Sequence, residues 1–294
     1  MMKRTLIGIC ALILSMLPAR PCLAEEEFVI GLIPEENIFK QIKRHLPLQD
    51  YLSERLGVKV RFTILSKYGD IIDRFTARDM DGAFFGIFTA LLAQEKIGVE
   101  PIVRPMNPDK STTATGFLIT RKDSNIQSIE GGRGKRAVFV DRATATGYIF
   151  VLALLKEIGV DSIDNYFSEY DFVGSHDAAV NAVLNGRADI GAVKSRILNQ
   201  LSAKDPIIKE DIRIIAQSEP LPDTTLCISK DVPIALKIKM KEVLLNMDKE
   251  PSGREVLKKL GALKFVPAVR KDFDSVTELA RKAGIADIKN YRYR

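Results

Sequence analysis

The stretch "RAVFVDRATATGYIFVLALLKEIG", Arg136 to Gly159, decides the architecture. Ala137–Val140 is a run of small, β-branched and aromatic residues of strand type. From Tyr148 the chain turns apolar over helical length and stops at Gly159, a natural C-terminal cap. Between them stand Asp141, two threonines straddling an alanine (Thr144, Ala145, Thr146) and Gly147. A strand that feeds a helix through a short turn of small polar residues is a βα unit. Repeated along a chain, such units make an α/β fold with mainly parallel sheets.

The same rhythm runs outward in both directions. Upstream, "EFVIGLIP", "VKVRFTIL", "MDGAFFG" and "ATGFLITR" read as strands. The intervening "NIFKQIKRHLPLQDYLSERLG", "GDIIDRFTARD" and "TALLAQEKIG" read as helices. Downstream, "NYFSEYDFVG", "ADIGAVK" and "IRIIAQS" are strands around the helix "HDAAVNAVLNG", and the chain finishes with the helices "PIALKIKMKEVLLNM", "GREVLKKLG" and "DSVTELARKAG". Two sets of α/β units joined by two extended crossings, near Phe117–Arg121 and near Ser218–Thr225, predict two lobes. The expected division is lobe 1 from 25–117 and 222–294, and lobe 2 from 118–221, with the two crossings as hinge.

Composition agrees with a packed globular chain: 294 residues, 46% apolar and 28% charged. The net charge of +6 includes Lys3, Arg4 and Arg20 near the N-terminus, so the rest carries about +3. That is too mild for a nucleic-acid-binding face, and Arg133, Lys135, Arg136 and the terminal "YRYR" read as solvated turn and tail. "MMKRT" followed by 12 apolar or weakly polar residues, Leu6–Leu17, and by "CLA" has the form of a secretory leader cut after Ala24 (residues 1–24). Twelve residues are too few to span a bilayer, which takes about 20. Export to the periplasm is the expectation. Without the leader Cys227 is the only cysteine, which excludes an internal disulfide, and His45 and His176 are the only histidines, so no metal centre is expected.

In parallel α/β sheets, ligands sit beyond the carboxyl ends of strands, where helix N-termini point inward. "DRATATGY" is such a place. Unpaired amides and the helix dipole there favour an oxyanion, with Thr144 and Thr146 adding hydroxyls while Ala145 and Gly147 keep the backbone accessible. The plainer alternative is a threonine N-cap. "VGSHDAAVNAV" is a second junction: Ser175 or Asp177 caps, and His176 either faces the cleft or packs. Thr89 in "FGIFTALLAQ" is a ligand donor or a cap, and Tyr68 in "SKYGDII" a cleft residue or a half-buried aromatic. "GGRGKR" lacks the P-loop's first glycine and its Ser or Thr, and neither G-x-S-x-G nor H-E-x-x-H occurs. An exported two-lobed chain without enzyme motifs is most economically a solute-binding protein, needing no cofactor.

Together these junctions resemble the substrate-binding subunits of phosphate/phosphite/phosphonate ABC importers. The likeness runs from about Phe28 to about Gly261, through "PLQDYLSERLGVKV", "YGDIIDRF", "MDGAFFG", "RKDSNIQSIE", "GKRAVFVDRATATGY", "GSHDAAVNAVLNGRADIGAV" and "SEPLP". The resemblance implies a type II periplasmic binding protein fold, a monomer, a small oxyanion ligand and a membrane ABC permease as partner. The family's Ser-Thr-Ser-Gly grip corresponds to Thr144-Ala145-Thr146-Gly147, its first-lobe tyrosine to Tyr68 and its histidine to His176, and Thr89 falls near a contact. Members that bind aminoalkylphosphonates add a tyrosine and two acids. Ungapped matching puts these at Ala114 or Thr115 and at Arg196 and Thr224, which argues against an amine-bearing ligand and for phosphite, phosphate or a simple phosphonate. Arg196 faces either the cleft or solvent. Three other functions share the same sequence: a sensor presenting its ligand, such as a metalloid oxyanion, to a receptor kinase; an exported enzyme using His176; and a redox or metalloid sensor built on Cys227.

Overall fold

The computed structural model describes residues 27–77 and 79–293, so the expected leader, residues 1–24, lies outside the described residues. The chain opens with β1 (Glu27–Leu32), α1 (Ile38–Leu56), β2 (Lys59–Ile64), α2 (Asp70–Thr76), β3 (Gly82–Phe85), α3 (Ile87–Ile97) and β4 (Glu100–Met106). It crosses through β5 (Thr113–Ala114) into β6 (Gly116–Arg121) and β7 (Arg136–Phe139). Then come α4 (Phe150–Glu157), β8 (Glu169–Phe172), α5 (His176–Leu184), β9 (Ile190–Lys194), α6 (Ser195–Lys204), α7 (Pro206–Asp211) and β10 (Ile212–Gln217). It returns through β11 (Leu221–Pro222) to β12 (Thr225–Ile228), α8 (Ile234–Asn246), α9 (Pro251–Leu260), β13 (Lys264–Pro267) and α10 (Asp274–Lys282).

Two sheets result, in the orders β13-β4-β12-β3-β1-β2 and β10-β6-β9-β7-β8. β1 pairs in parallel with β2 and β3, and β7 with β8 and β9, as βα units require. The sheets are nonetheless mixed rather than mainly parallel, because each crossing delivers a strand running against its neighbours. Returning β12 slots antiparallel between β3 and β4, and outgoing β6 lies antiparallel to both β9 and β10. The two crossings meet as a small antiparallel ladder, with Leu221 opposite Ala114 and Pro222 opposite Thr113. The return crossing falls within Ser218–Thr225 as the sequence predicts. The outgoing one comes earlier than predicted, since Phe117–Arg121 already belongs to the second sheet. The apolar pattern of "GFLITR" marks a strand without marking which sheet it joins.

Alternation along β1 buries both faces. Phe28, Ile30 and Leu32 enter a core with α1, α8 and α9, whereas Val29 enters a larger core with Phe85 and Phe88. That larger core runs on without a break into the second lobe, through Phe139, Tyr148 and Ile149. The terminal tyrosines, read from sequence as solvated tail, are held. The Tyr291 ring meets Phe88 edge-on at 5.2 Å and its hydroxyl donates to the Arg142 carbonyl at 2.9 Å. Tyr293 lies over Gly69, where a Cβ would stand 2.3 Å from the ring. Apolar rings flanked by arginines look solvated in a linear reading, but the rings find partners in both lobes.

Candidate functional site

β7 ends at Phe139, and its continuation enters the turn that the sequence singles out. Asp141 organises it: one carboxylate oxygen accepts from the Ala143 amide at 2.8 Å, and its carbonyl accepts from the Thr144 amide at 3.0 Å and hydroxyl at 2.6 Å. Thr144 stands at the N-cap position in extended conformation yet makes no side-chain cap bond. The helix then opens with a π-wound turn, Ala145–Ile149, closed by the Ile149 amide on the Thr144 carbonyl at 3.0 Å. The amides of Ala145, Thr146, Gly147 and Tyr148 precede that bond and have no acceptor within the helix. Gly147 makes the turn possible, because a Cβ there would lie 2.7 Å from both Val140 and the Thr144 hydroxyl.

This turn forms one wall of a small cavity bordered also by Glu35, Tyr68, Gly86, Ile87, His176 and Lys194. Thr144 and Thr146 are 4% and 2% exposed, and His176 2%. Ser175 caps α5, accepting from the Ala178 amide at 3.4 Å, and so sets His176 at the helix start. The His176 amide donates across to the Glu35 carbonyl at 3.1 Å, joining the lobes. Its ring accepts the Lys194 amide at Nδ1, 3.1 Å away, which leaves the proton on Nε2. Burial, reinforced by the Lys194 charge, pushes the imidazole down to about 3. His176 is therefore a fixed, neutral donor. The Tyr68 ring stands edge-on to it at 6.3 Å, and the Tyr68 hydroxyl is buried with no hydrogen-bond partner among the described residues. Buried hydroxyls are ordinarily satisfied, so an orphan on a residue that borders a polar cavity points to a ligand.

Behind this wall lies a charged network that the sequence reading missed. Lys194 Nζ contacts Glu35 Oε1 at 2.6 Å and Asp223 Oδ1 at 2.5 Å, and donates to Thr224 Oγ1 at 2.8 Å. Thr224 in turn donates to Glu35 at 2.8 Å. Arg196 reaches the other Glu35 oxygen at 2.5 Å and stands 3.7 Å from Asp223. Burial alone would raise both carboxyls, but the Lys194 and Arg196 charges outweigh it and hold Glu35 well below, and Asp223 below, the usual carboxylate range. Two carboxylates and two cations leave the network neutral. Every ion pair in it joins Lys194 or Arg196, at the end of β9 and the start of α6, to Glu35 beyond β1 or to Asp223 on the return crossing.

Tyr68, Thr144, Ala145, Thr146 and His176 thus border one cavity, whereas Thr89, Gly147 and Arg196 do not. The Thr89 hydroxyl, fully buried, donates to the Gly86 carbonyl at 3.1 Å, so Gly86 and Ile87 of that turn face the cavity instead. Arg196, in the first turn of α6, lines a separate groove with Arg44, Asn107 and Asp223. The position-by-position matching that placed Arg196 and Thr224 at the ligand therefore finds Thr224 behind Lys194, and Lys194 at the wall. The helix α6 itself is absent from the sequence reading. A signal for the missed residues does exist: Glu35 stands just beyond, and Lys194 at, the carboxyl end of a strand that is otherwise buried and mostly apolar. Cys227 is fully buried in β12, where burial pushes its thiol up, and does not border the cavity.

A profile of the family described as "ABC transporter, phosphonate, periplasmic substrate-binding protein" matches residues 30–273. A probable phosphite-binding protein of an ABC transporter from Prochlorococcus marinus is 22% identical over 86% of this chain and 88% of its own. The phosphonates-binding periplasmic protein of Escherichia coli is 23% identical over 84% of this chain and 74% of its own. Among solved structures, a binding-protein component of a phosphonate ABC transporter from Pseudomonas aeruginosa superposes with a TM-score of 0.81 at 19% identity. It covers 88% of this chain and 87% of its own. The fold match is thus a two-lobed periplasmic binding protein fold.

Proposed function

Because the chain belongs to the phosphonate periplasmic substrate-binding protein family of ABC transporters, we propose that it captures a small phosphorus oxyanion between its lobes and hands it to a membrane permease. The observation that carries this reading is the cavity's set of donors without acceptors of their own. These are the amides of Ala145 and Thr146 at a helix N-terminus, the Thr146 hydroxyl, the neutral His176 Nε2–H and the orphaned Tyr68 hydroxyl. All of them give hydrogen bonds, and a tetrahedral oxyanion accepts them. Phosphite, phosphate and methylphosphonate are the compact candidates. The lobe limits 25–117 with 222–294, and 118–221, the periplasmic residence of the cleaved chain and its action as a monomer form part of the same proposal.

The family is one of transport components rather than enzymes, and the site adds no reason to depart from it. His176 is poised as a fixed donor, too depressed in basicity to take protons at neutral pH. Nothing in the cavity favours the sensory alternative. The test is a thermal-shift screen of the chain from Glu25 onward against phosphate, phosphite, methylphosphonate, 2-aminoethylphosphonate, sulfate, arsenite and arsenate. A ligand at one hundred times its Kd stabilises the folded state by about 2.7 kcal/mol. A shift with a phosphorus oxyanion, lost in Thr146→Val, is expected; no shift with any of them would overturn the proposal.

A further inference from the structure

Lys194 borders the cavity, yet its charge is already spent. A primary ammonium has three N–H donors, and this one finds three oxygens, from Glu35, Asp223 and Thr224, at 2.5 to 2.8 Å. The lysine ends β9 in the second sheet, whereas Glu35 follows β1 of the first and Asp223 and Thr224 lie on the return crossing just before β12. Lys194 and Asp223 are each 1% exposed and Glu35 5%. The oxygens therefore make a complete ammonium seat that begins at the cavity wall with Glu35 and extends behind it, and the protein fills it with its own side chain.

We propose that Lys194 is a specificity-determining residue, a tethered ammonium that occupies this seat and thereby restricts the cavity to oxyanions carrying no amino group. The inference deepens the oxyanion reading above and rests on it. Three oxygens respond to the charge and shape of an ammonium, whichever molecule carries it. While Lys194 is in place, an aminoalkyl ligand would press a second ammonium against the first among buried side chains, where like charges repel strongly. Cutting the lysine back to alanine changes the count to two carboxylates against Arg196 alone. One negative charge is then uncompensated and the seat is open. A ligand bearing an oxyanion for the Thr144–Thr146 turn and an ammonium for the seat restores the balance, because that turn, Glu35 and Lys194 border the same cavity. Arg196 cannot take over, since it lies in the neighbouring groove and already holds Glu35 Oε2.

The experiment measures affinities by calorimetry for two pairs that differ only in the ammonium: methylphosphonate with aminomethylphosphonate, and ethylphosphonate with 2-aminoethylphosphonate. The native chain is expected to prefer the amine-free member of each pair by about tenfold or more, the worth of a hydrogen bond made to a charged group. In Lys194→Ala the preference should move toward the amine-bearing member by at least about tenfold. Adding Asp223→Asn, which removes one arm of the seat, should cancel that gain. Native protein that takes an amine-bearing member as tightly as its partner overturns the inference with no variant needed, so it stays decidable even if Lys194→Ala does not fold. A folded Lys194→Ala with an unmoved preference also overturns it. Phosphite and methylphosphonate on the native chain check the underlying reading: binding there with an unmoved preference sinks only the role of Lys194, whereas no oxyanion binding at all sinks the capture function itself.

Discussion

Tyr68→Phe separates a ligand contact from a fold contact, because the two roles predict effects of opposite sign. The substitution removes one oxygen and leaves the ring, whose edge-on stacking with His176 at 6.3 Å and packing against Gly86 are unchanged in kind. In the closed arrangement that oxygen is buried and unpaired, a condition that disfavours the folded state by about 1–3 kcal/mol. Removing it should leave the unliganded protein as stable as before or up to about 1 kcal/mol more so, a rise of ~2–4 °C in Tm for a chain of this size. Ligand binding should respond in the other direction. A hydroxyl donating to an oxyanion contributes about 1.5–3 kcal/mol, so affinity should fall by roughly 10- to 150-fold. Urea unfolding without ligand and calorimetry with phosphite or methylphosphonate give both numbers. A variant destabilised by more than about 1 kcal/mol with undiminished affinity would show that the hydroxyl serves the fold, and would refute the reasoning that links an orphaned donor to a ligand.

Thr146→Val should weaken oxyanion binding by about 1–3 kcal/mol with little change in unliganded stability, read by the same calorimetry. Gly147→Ala should lower stability by about 1–3 kcal/mol, because the new methyl would overlap Val140 and the Thr144 hydroxyl; a urea midpoint equal to the native one would mean that the turn relaxes freely. His176 is neutral in the fold down to about pH 3 but takes a proton near 6.5 when unfolded. The unfolded chain therefore binds more protons as pH falls through that window, and stability drops. Relative to His176→Asn, the native protein should lose about 2 kcal/mol between pH 6.5 and 5; parallel pH profiles of the two would contradict the assignment. Glu35→Gln leaves one cation of the buried network without a full partner and should destabilise the closed form by about 3–5 kcal/mol, measured as unfolding free energy.

Much of the fold is legible because periodicity is a local property. β7, the helix that follows it and the glycine stop at Gly159 could be drawn from their residues alone, and so could the junctions at Thr144–Gly147 and His176. What escaped is set by partners far off in sequence. Whether "GFLITR" runs with or against its neighbours depends on β9 and β10, which lie about 70 to 100 residues onward. Asp223, Glu35 and Lys194 are unremarkable as single letters. They become a network only where the return crossing, the end of β1 and the end of β9 converge. Thr89 shows the converse: its type suits a ligand, but a carbonyl three residues back already accepts its proton.

The rings that tie the two lobes together also give the molecule an optical property. The chain contains seven tyrosines and no tryptophan, so its near-ultraviolet emission comes from tyrosine alone. Two of the seven, Tyr68 beside His176 and Tyr291 between Phe88 and the Arg142 carbonyl, sit where the halves meet. Separation of the halves would move both from a dry aromatic setting into water, altering their brightness with no brighter indole to mask them. The protein carries its own dye for watching the cleft open.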